Sequence, residues 1–393
     1  MINLPPPRFL FITCQRGAEP IIKDELARKT PFRFAYSRPG FLTFKLPGAM
    51  QDVTQNGLTD MHAPSTQVAT QDAKVQKLPH DFRPPSVFAR SWGFTLGKAE
   101  GTTDTERAEA VWRLAADGPY RQLHVWQRDA ALPGEFGFEP GASAAADGAR
   151  KALGATAPAT MSQSLMTAGP AGRGQVVLDC IVVEPDVWWV GYHRVVSAAT
   201  RWPGGVFPVT QPADAVSRAY AKMEEAIAWS QLPIRAGDRC VEIGSAPGGS
   251  SQALLAHGLT VIGIDPAKMD PRIVDHPAFI HVRKRGIDVQ RRLFQDARWL
   301  AADMNVAPRY TLDTVEAIVT HRRVSIRGLL LTLKLLNWEL AAELPDWLAR
   351  IRSWGYHEVR ARQLARNRRE ICVVALQHRA LRRVGRKPTR SAK

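Results

Sequence analysis

Short apolar runs and segments with helical spacing alternate along the second half of the chain. Six apolar runs predict strands: 239–243, 259–264, 279–282, 298–301, 328–334 and 371–376. Four segments predict helices: 212–229, 249–257, 311–322 and 338–354. Repeated strand–helix units predict a mostly parallel sheet with helices on both faces, a doubly wound α/β fold. Such sheets bind ligands at the carboxyl ends of their strands.

The first half of the chain has a mixed α/β pattern. Four runs predict strands: 8–13, 41–46, 87–96 and 121–127. The segment 18–28 predicts a helix. Two further β-rich runs, 175–183 and 187–195, flank the turn-forming triplet Glu184-Pro185-Asp186. This arrangement predicts a β-hairpin.

Two segments of the first half lack a strong hydrophobic pattern. Residues 47–86 are polar and predict a loop or an insertion, and the Ala- and Gly-rich residues 131–174 predict a linker with a short helix near 144–153. We therefore expect three regions: an N-terminal domain with its linker over 1–175, a second domain over 176–380 and a basic tail over 381–393.

Length and composition narrow the class of protein. A chain of 393 residues favours two domains, with a third possible. A content of 45% hydrophobic and 23% charged residues excludes wholesale disorder and a collagen-like structure. The net charge of +16 suggests a polyanionic partner, nucleic acid before an anionic membrane surface, although a merely basic protein stays open.

Membrane insertion and a disulfide framework are not expected. The longest apolar run, 329–336, is short and contains Lys334, and the amino terminus lacks the layout of a signal peptide. The four cysteines are far apart, form no CxxC pair and have no histidine at metal-ligand spacing. These features predict a cytoplasmic protein.

A glycine-rich turn between a strand and a helix is the strongest candidate ligand site. The segment 240–249 reads CVEIGSAPGG, and Asp265 follows Gly244 by 21 residues, at the end of the next strand. An acid at this distance can accept hydrogen bonds from ribose hydroxyls. The dinucleotide fingerprint would need glycine at Ala246, so the turn suits S-adenosyl-L-methionine better than NAD. Glycines that serve only a tight turn remain an alternative.

Four stretches carry a family resemblance. They are 212–222 (PADAVSRAYAK), the turn 244–249, 299–304 (WLAADM), and 333–335 (LKL) with 362–370 (RQLARNRRE). In this order they resemble the FtsJ-type RNA ribose 2′-O-methyltransferases, and most closely the ribosomal RNA large subunit methyltransferase M family. The resemblance covers about 190–376 and is weaker over 1–170. There, 8–44 is similar to the start of a THUMP-type RNA-binding domain with a ferredoxin-like part.

The resemblance implies a Rossmann-like, S-adenosyl-L-methionine-dependent methyltransferase domain and assigns roles to individual residues. It implies a catalytic tetrad of Lys222, Asp303, Lys334 and Glu370, in which Lys334 accepts the proton. The candidate cofactor-binding residues are Ser217, Glu242, Gly244, Ser245, Ala246, Pro247, Gly248, Gly249, Asp265 and Asp303. One position departs from the family: Arg285 stands where the family has an acid that holds the adenosine, and Asp288 is the acid that could replace it.

The implied reaction explains why such residues are needed. A ribose 2′-hydroxyl is weakly acidic and needs a positioned base, whereas a sulfonium is already a good leaving group. Lysine is a base only when neutral, and burial or a neighbouring cation such as Lys222 lowers its pKa. Asp303 and Glu370 oppose that change, so we expect them to orient and neutralise the group. The reaction requires no metal.

Basic residues cluster where an RNA could bind. Residues 351–393 hold eleven Arg and two Lys against two Glu, and we expect the end of the chain from Arg382 to be a solvated tail. A second basic and aromatic stretch is a further candidate: Tyr192, His193, Arg194, Arg201 and Trp202. The neighbouring Trp188 and Trp189 are expected to pack in the hairpin core. The substrate that the resemblance implies is a cytidine of large-subunit (23S) ribosomal RNA.

Two other classes of function stay open. A non-catalytic RNA-binding protein on a methyltransferase scaffold would keep the charge but would not need the tetrad. A nucleotide-dependent oxidoreductase would need a glycine-rich turn, although Ala246-Pro247 argues against it. Binding of S-adenosyl-L-methionine, compared with NAD, discriminates between these hypotheses.

Overall fold

The protein is described from a computed structural model that covers residues 7–47, 82–116, 118–141, 143–159 and 169–377. The chain divides into two compact units, Met1–Val206 and Phe207–Lys393. Most of the predicted insertion at 47–86 and all of the predicted tail at 381–393 lie outside the described residues.

The first unit is a seven-stranded sheet with helices packed against it. Its elements in chain order are β1 (Phe9–Thr13), α1 (Glu19–Lys29), β2 (Arg33–Arg38), β3 (Phe41–Lys45), β4 (Ser91–Glu100), α2 (Asp104–Ala115), β5 (Gln122–Gln127), α3 (Ala144–Ala155), β6 (Val176–Glu184) and β7 (Val187–Arg194). The strand order is β2-β3-β1-β4-β7-β6-β5, and only β5 and β6 pair in parallel. The predicted mixed α/β architecture is confirmed; its THUMP-type character stays a prediction.

Alternation along β6 separates the two faces of this sheet. Leu178 and Cys180 pack with residues of α2 and α3 in the larger apolar cluster. Ile181 and Val183 belong to a second cluster on the other face, with Trp126 of β5. Because successive strand residues point to opposite faces, Asp179 lies on the same face as Ile181.

The boundary between the units lies later than the sequence analysis places it. The predicted hairpin is present as β6 and β7, but β7 pairs with β4, so the hairpin completes the first sheet. The first unit therefore extends to Val206 rather than to 175. Strand pairing across 87 to 98 positions leaves no local mark in the sequence, which is why the pattern could not assign the hairpin to its sheet.

The basic and aromatic stretch proposed at 192–202 is only partly exposed, since Arg194, Arg201 and Trp202 are half-buried. Tyr192 and His193 are buried, with 6% and 3% of their surface exposed. Arg194 and Arg201 donate to the backbone carbonyls of Gly174 and Ala171. The prediction that Trp188 and Trp189 pack inside is confirmed, because both are buried in the apolar clusters of this sheet.

The second unit is the predicted doubly wound α/β fold. Its elements in chain order are α4 (Ala219–Ser230), β8 (Arg239–Ile243), α5 (Gly249–Ala256), β9 (Thr260–Ile264), α6 (Pro271–Val274), β10 (Phe279–Val282), β11 (Trp299–Ala302), α7 (Pro308–Val319), β12 (Gly328–Lys334), α8 (Leu344–Ser353), β13 (Glu358–Arg362) and β14 (Glu370–Leu376). The strand order is β10-β9-β8-β11-β12-β14-β13. The first five strands in this order are parallel to one another. Strand β14 runs antiparallel to both of its neighbours, β12 and β13.

Most predicted elements of this unit match the structure closely. The predicted helix at 212–229 differs, since α4 begins only at Ala219, and β13 was not predicted. Its sequence, EVRAR, alternates at a sheet edge and has little apolar content, so the apolar pattern is weak there. Within the described ranges, every helix is too short or too polar to cross a membrane.

Candidate active site

Four neighbouring strands bring the predicted residues to one edge of the second sheet. Gly244 follows β8, Asp265 follows β9, Asp303 follows β11, and Lys334 ends β12. These strands run parallel, so their carboxyl ends meet at the same edge. The antiparallel register then places Lys334 opposite Glu370, the first residue of β14.

The four tetrad side chains form a continuous series of ion pairs. Lys334 Nζ lies 2.6 Å from Asp303 Oδ1 and 2.7 Å from Glu370 Oε1. Lys222 Nζ, from α4, donates to the two carboxylate oxygens of Glu370 at 2.9 and 2.6 Å. The structure therefore brings together two ammonium and two carboxylate groups, although Lys222 and Glu370 are 148 positions apart.

Two glycines of the turn between β8 and α5 are required by close packing. Gly244 has a φ of +80°, and a Cβ there would lie 2.8 Å from the carbonyl oxygen of Asp303. A Cβ on Gly249 would lie 2.2 Å from Ser217 Oγ. The turn is therefore packed against a tetrad residue on one side and against the segment that leads into α4 on the other.

Replacement of Gly244 by alanine is expected to destabilise the protein more than replacement of Gly237. Gly237 has a similar φ of +82° but nothing within 4 Å of its Cβ position, so Gly237→Ala measures backbone strain alone. That strain costs about 1–2 kcal/mol. Gly244→Ala adds the clash with Asp303, which should lower the free energy of unfolding further in urea titrations. Equal losses for the two variants would contradict the close approach.

The residues around this turn offer hydrogen-bond donors and acceptors that suit a ligand with a ribose and an amino-acid carboxylate. Asp265 accepts from Ala246 N at 3.1 Å and Ala267 N at 2.8 Å, and an ionised carboxylate has about four acceptor sites. Two sites therefore remain for ribose hydroxyls. Helix α5 begins at Gly249 without a side-chain cap from the described residues, so its first N–H groups can bind a carboxylate.

The remaining turn residues differ in exposure. Ser245 and Gly248 are buried, Ala246 is partly exposed and Pro247 is exposed. Ser245 Oγ donates to the sulfur of Met269 at 3.5 Å, so its side chain points into the domain. Contacts of Ser245 with a ligand would therefore use its backbone.

A comparison with protein families matches this region. The model of the FtsJ-like methyltransferase family matches residues 215–343, which include α4, the glycine turn, Asp303 and Lys334. Residues 215–343 form an FtsJ-like methyltransferase domain. The family match ends before Glu370, whose place beside Lys334 comes from the pairing of β14 with β12.

Relatives extend beyond the FtsJ-like domain. A protein of Halorhodospira halophila named ribosomal RNA large subunit methyltransferase M is 28% identical over 308 residues, which cover 74% of this chain and 81% of that protein. A Haemophilus influenzae protein of the same name is 29% identical over 157 residues, which cover 38% of this chain. The aligned part spans only 43% of the length of the Haemophilus influenzae protein.

A comparison with solved structures gives matches to methyltransferase folds at low similarity. Fibrillarin of Aeropyrum pernix, solved with natively bound S-adenosyl-L-methionine, aligns with a TM-score of 0.31 and 14% identity, over 50% of this chain and 81% of that chain.

The charges of the tetrad hold Lys334 in its protonated form. Burial lowers the pKa of Lys334, but Asp303 and Glu370 outweigh it, so the pKa lies above its ordinary value. Burial raises the pKa of Glu370, but Lys222 and Lys334 outweigh it and the pKa falls. The positive charge of Lys222 was expected to lower the pKa of Lys334, but it does not outweigh the two carboxylates.

Two residues that were predicted to contact the cofactor, Glu242 and Asp288, already have partners within the protein. Glu242 is fully buried and accepts a hydrogen bond from Ser251 Oγ of α5. Burial raises the pKa of Glu242 to about 7. Asp288, the expected substitute for the adenosine-binding acid, is paired with Arg285 at 2.7 Å on the surface.

Glu225 was missed by the sequence analysis. It lies on α4, three residues after Lys222, and is 1% exposed. Its carboxylate accepts from the backbone N–H groups of Ala365 and Arg366 at 2.9 and 2.8 Å. Helix α4 thus makes two contacts with this region. Lys222 binds Glu370, and Glu225 binds the loop that precedes Glu370. The sequence did contain a signal for Glu225: an acidic residue three positions after Lys222, among the apolar positions of a predicted helix, indicates a buried carboxylate that needs partners.

Removing the Glu225 carboxylate is expected to lower both stability and methyl transfer. Glu225→Leu leaves the buried N–H of Ala365 and the partly buried N–H of Arg366 unpaired, and an unpaired buried N–H costs about 1–3 kcal/mol. The neighbouring Glu224 pairs with His257 at 3.1 Å on the surface, so Glu224→Leu is a matched control. Thermal unfolding and single-turnover rates measure both effects. Glu225→Gln keeps one acceptor and should recover part of the stability; no difference between Glu225→Leu and the control would contradict the role.

Part of the basic segment near the end of the second unit forms hydrogen bonds within the protein. Arg360, Arg366 and Arg369 donate to the backbone carbonyls of Ser230, Phe207 and Leu336. These guanidinium groups stabilise the fold and have fewer donors left for phosphate. The basic residues from Arg379 onward lie outside the described residues.

Proposed function

We propose that the protein transfers a methyl group from S-adenosyl-L-methionine to a ribose 2′-hydroxyl of RNA, with Lys334 as the general base. The convergence of Lys222, Asp303, Lys334 and Glu370 at the strand ends, beside the glycine turn, carries this proposal. A merely structural network would not need to lie at the edge where sheets of this class bind ligands.

Each tetrad residue has a distinct task in this proposal. The cofactor supplies an activated methyl group on a sulfonium. Lys334 Nζ takes the proton of the 2′-hydroxyl as the oxygen–carbon bond forms and the carbon–sulfur bond breaks. Asp303 and Glu370 orient the amine and stabilise the ammonium that results, and Lys222 holds Glu370 in place. Because the pKa of Lys334 is raised, loss of its resting proton should limit the rate near neutral pH.

The proposed substrate is a cytidine of large-subunit (23S) ribosomal RNA. Support comes from the family resemblance and from the names of the relatives, one of which aligns over 81% of its length. The net charge of +16 is consistent with a polyanionic substrate.

The direct test uses purified, folded protein with tritiated S-adenosyl-L-methionine and matching ribosomal RNA. We expect label in the large-subunit RNA, and mapping of 2′-O-methyl groups should place it on one ribose. Small-subunit RNA is the control substrate. Failure to label large-subunit RNA would overturn the substrate, and failure to bind the cofactor in calorimetry would overturn the enzymatic class.

A further inference from the structure

A group of three buried polar side chains lies on one face of the first sheet. In the parallel pairing of β5 and β6, His124 stands opposite Asp179. His193 of β7 stands opposite Val177, two positions from Asp179. Alternation along the strands places all three side chains on the same face. They are 1%, 0% and 3% exposed, respectively, so water does not reach them from the surface.

Several atoms of this group have no hydrogen-bond partner among the residues that the structure describes. They are both ring nitrogens of His124 and Oδ1 of Asp179. A buried polar group without a partner costs about 1–3 kcal/mol. On a face otherwise filled by residues such as Trp126 and Ile181, three unpaired polar atoms call for a ligand.

The hydrogen bonds of His193 fix the direction of its free lone pair. Nε2 lies 2.8 Å from the carbonyl oxygen of Thr200, which only accepts, so Nε2 carries a hydrogen. If the ring is neutral, Nδ1 then presents a lone pair to Asp179 Oδ2, which is 2.7 Å away. Two acceptors at that distance repel each other unless a proton or a cation lies between them. A histidine that binds a metal usually donates its other N–H to a carbonyl in this way.

We propose that His124, Asp179 and His193 bind a divalent transition-metal ion of the zinc class, which joins β5, β6 and β7. Their ligand atoms lie within 4.8 Å of one another. Tetrahedral zinc holds nitrogen and oxygen ligands about 3.3 Å apart, so the side chains must rotate toward one another, and both oxygens of Asp179 must bind to give four ligand atoms. Two imidazoles and one carboxylate suit such an ion better than magnesium or calcium.

Metal binding requires both imidazoles to be deprotonated. Burial lowers the pKa of His124 well below its ordinary value, and His193 lowers it further, so this imidazole is neutral. Burial lowers the pKa of His193, but the contacts with Asp179 outweigh it and the pKa is raised, so a metal ion must displace the proton that this pair otherwise shares. The site has no open face to solvent, which indicates a structural role rather than a catalytic one.

The test is a titration of the metal-free, full-length protein with Co²⁺, followed by displacement with Zn²⁺. We expect one Co²⁺ per chain with the visible absorption of a tetrahedral site, and a rise of several degrees in Tm with Zn²⁺. His124→Phe keeps a ring of similar size and should abolish both signals, while His257→Gln, a surface histidine, should keep them. His193→Gln is the second variant, for use if His124→Phe does not fold.

Two results would overturn the metal site. The first is the absence of both a Co²⁺ band and a Zn²⁺-dependent Tm shift in the wild-type protein, which would mean that only a proton is shared by His193 and Asp179. The second is retention of the band in a folded His124 or His193 variant. Both readouts are independent of methyl transfer.

Discussion

Replacement of Lys334 by alanine is expected to slow methyl transfer by about 10²- to 10⁴-fold, the usual contribution of a general base. The other amine of the tetrad, Lys222, donates to both oxygens of Glu370. We therefore expect it to remain bound to that carboxylate rather than to replace Lys334. Affinity for S-adenosyl-L-methionine should change only a few-fold, because the glycine turn and Asp265 stay intact. Single-turnover rates and calorimetry measure the two effects separately.

The variant Lys334→Arg distinguishes the role of Lys334 as a base from the role of its positive charge. Arginine keeps a cation between Asp303 and Glu370 but does not lose its proton in proteins, so this variant should be as inactive as Lys334→Ala. Lys284→Ala removes one positive charge from an exposed position of the same unit and should retain activity. Activity of Lys334→Arg within tenfold of wild type would exclude Lys334 as the base.

The sequence was most informative where function depends on strand ends. Gly244, Asp265, Asp303 and Lys334 each follow or end an apolar run, and the rule that parallel strands share a ligand-binding edge predicts their proximity. Glu370 is different, because its place opposite Lys334 depends on an antiparallel register that the apolar pattern does not encode. The family resemblance supplied that residue, and the register gives the physical reason.

What the sequence could not predict depends on contacts between distant segments. The hairpin β6–β7 has the same local pattern whichever sheet it joins, so the boundary at 175 was misplaced. His124 and His193 are 69 positions apart in the sequence, and only the pairing of three strands brings them together. Glu225 shows the same limit, since its partners are 140 positions away.

Replacement of Glu370 by glutamine is expected to lower the maximal rate and to move the pH profile to lower pH. The variant loses a charge-assisted contact with Lys334 at 2.7 Å, worth about 1.5–3 kcal/mol, so the maximal rate should fall by about 10- to 100-fold. Glu370 also raises the pKa of Lys334, so removing its charge favours the neutral amine. The rising limb of log kcat against pH should therefore begin at lower pH than in wild type.

The control for this profile is Glu358→Gln. Glu358 lies on β13, pairs with Arg360 at 3.1 Å and is 40% exposed, so its replacement removes one negative charge without touching either lysine of the tetrad. Its profile should coincide with that of wild type. If the limb of Glu370→Gln stays in place or moves to higher pH, the titrating group is not Lys334, because each carboxylate beside that amine can only raise its pKa.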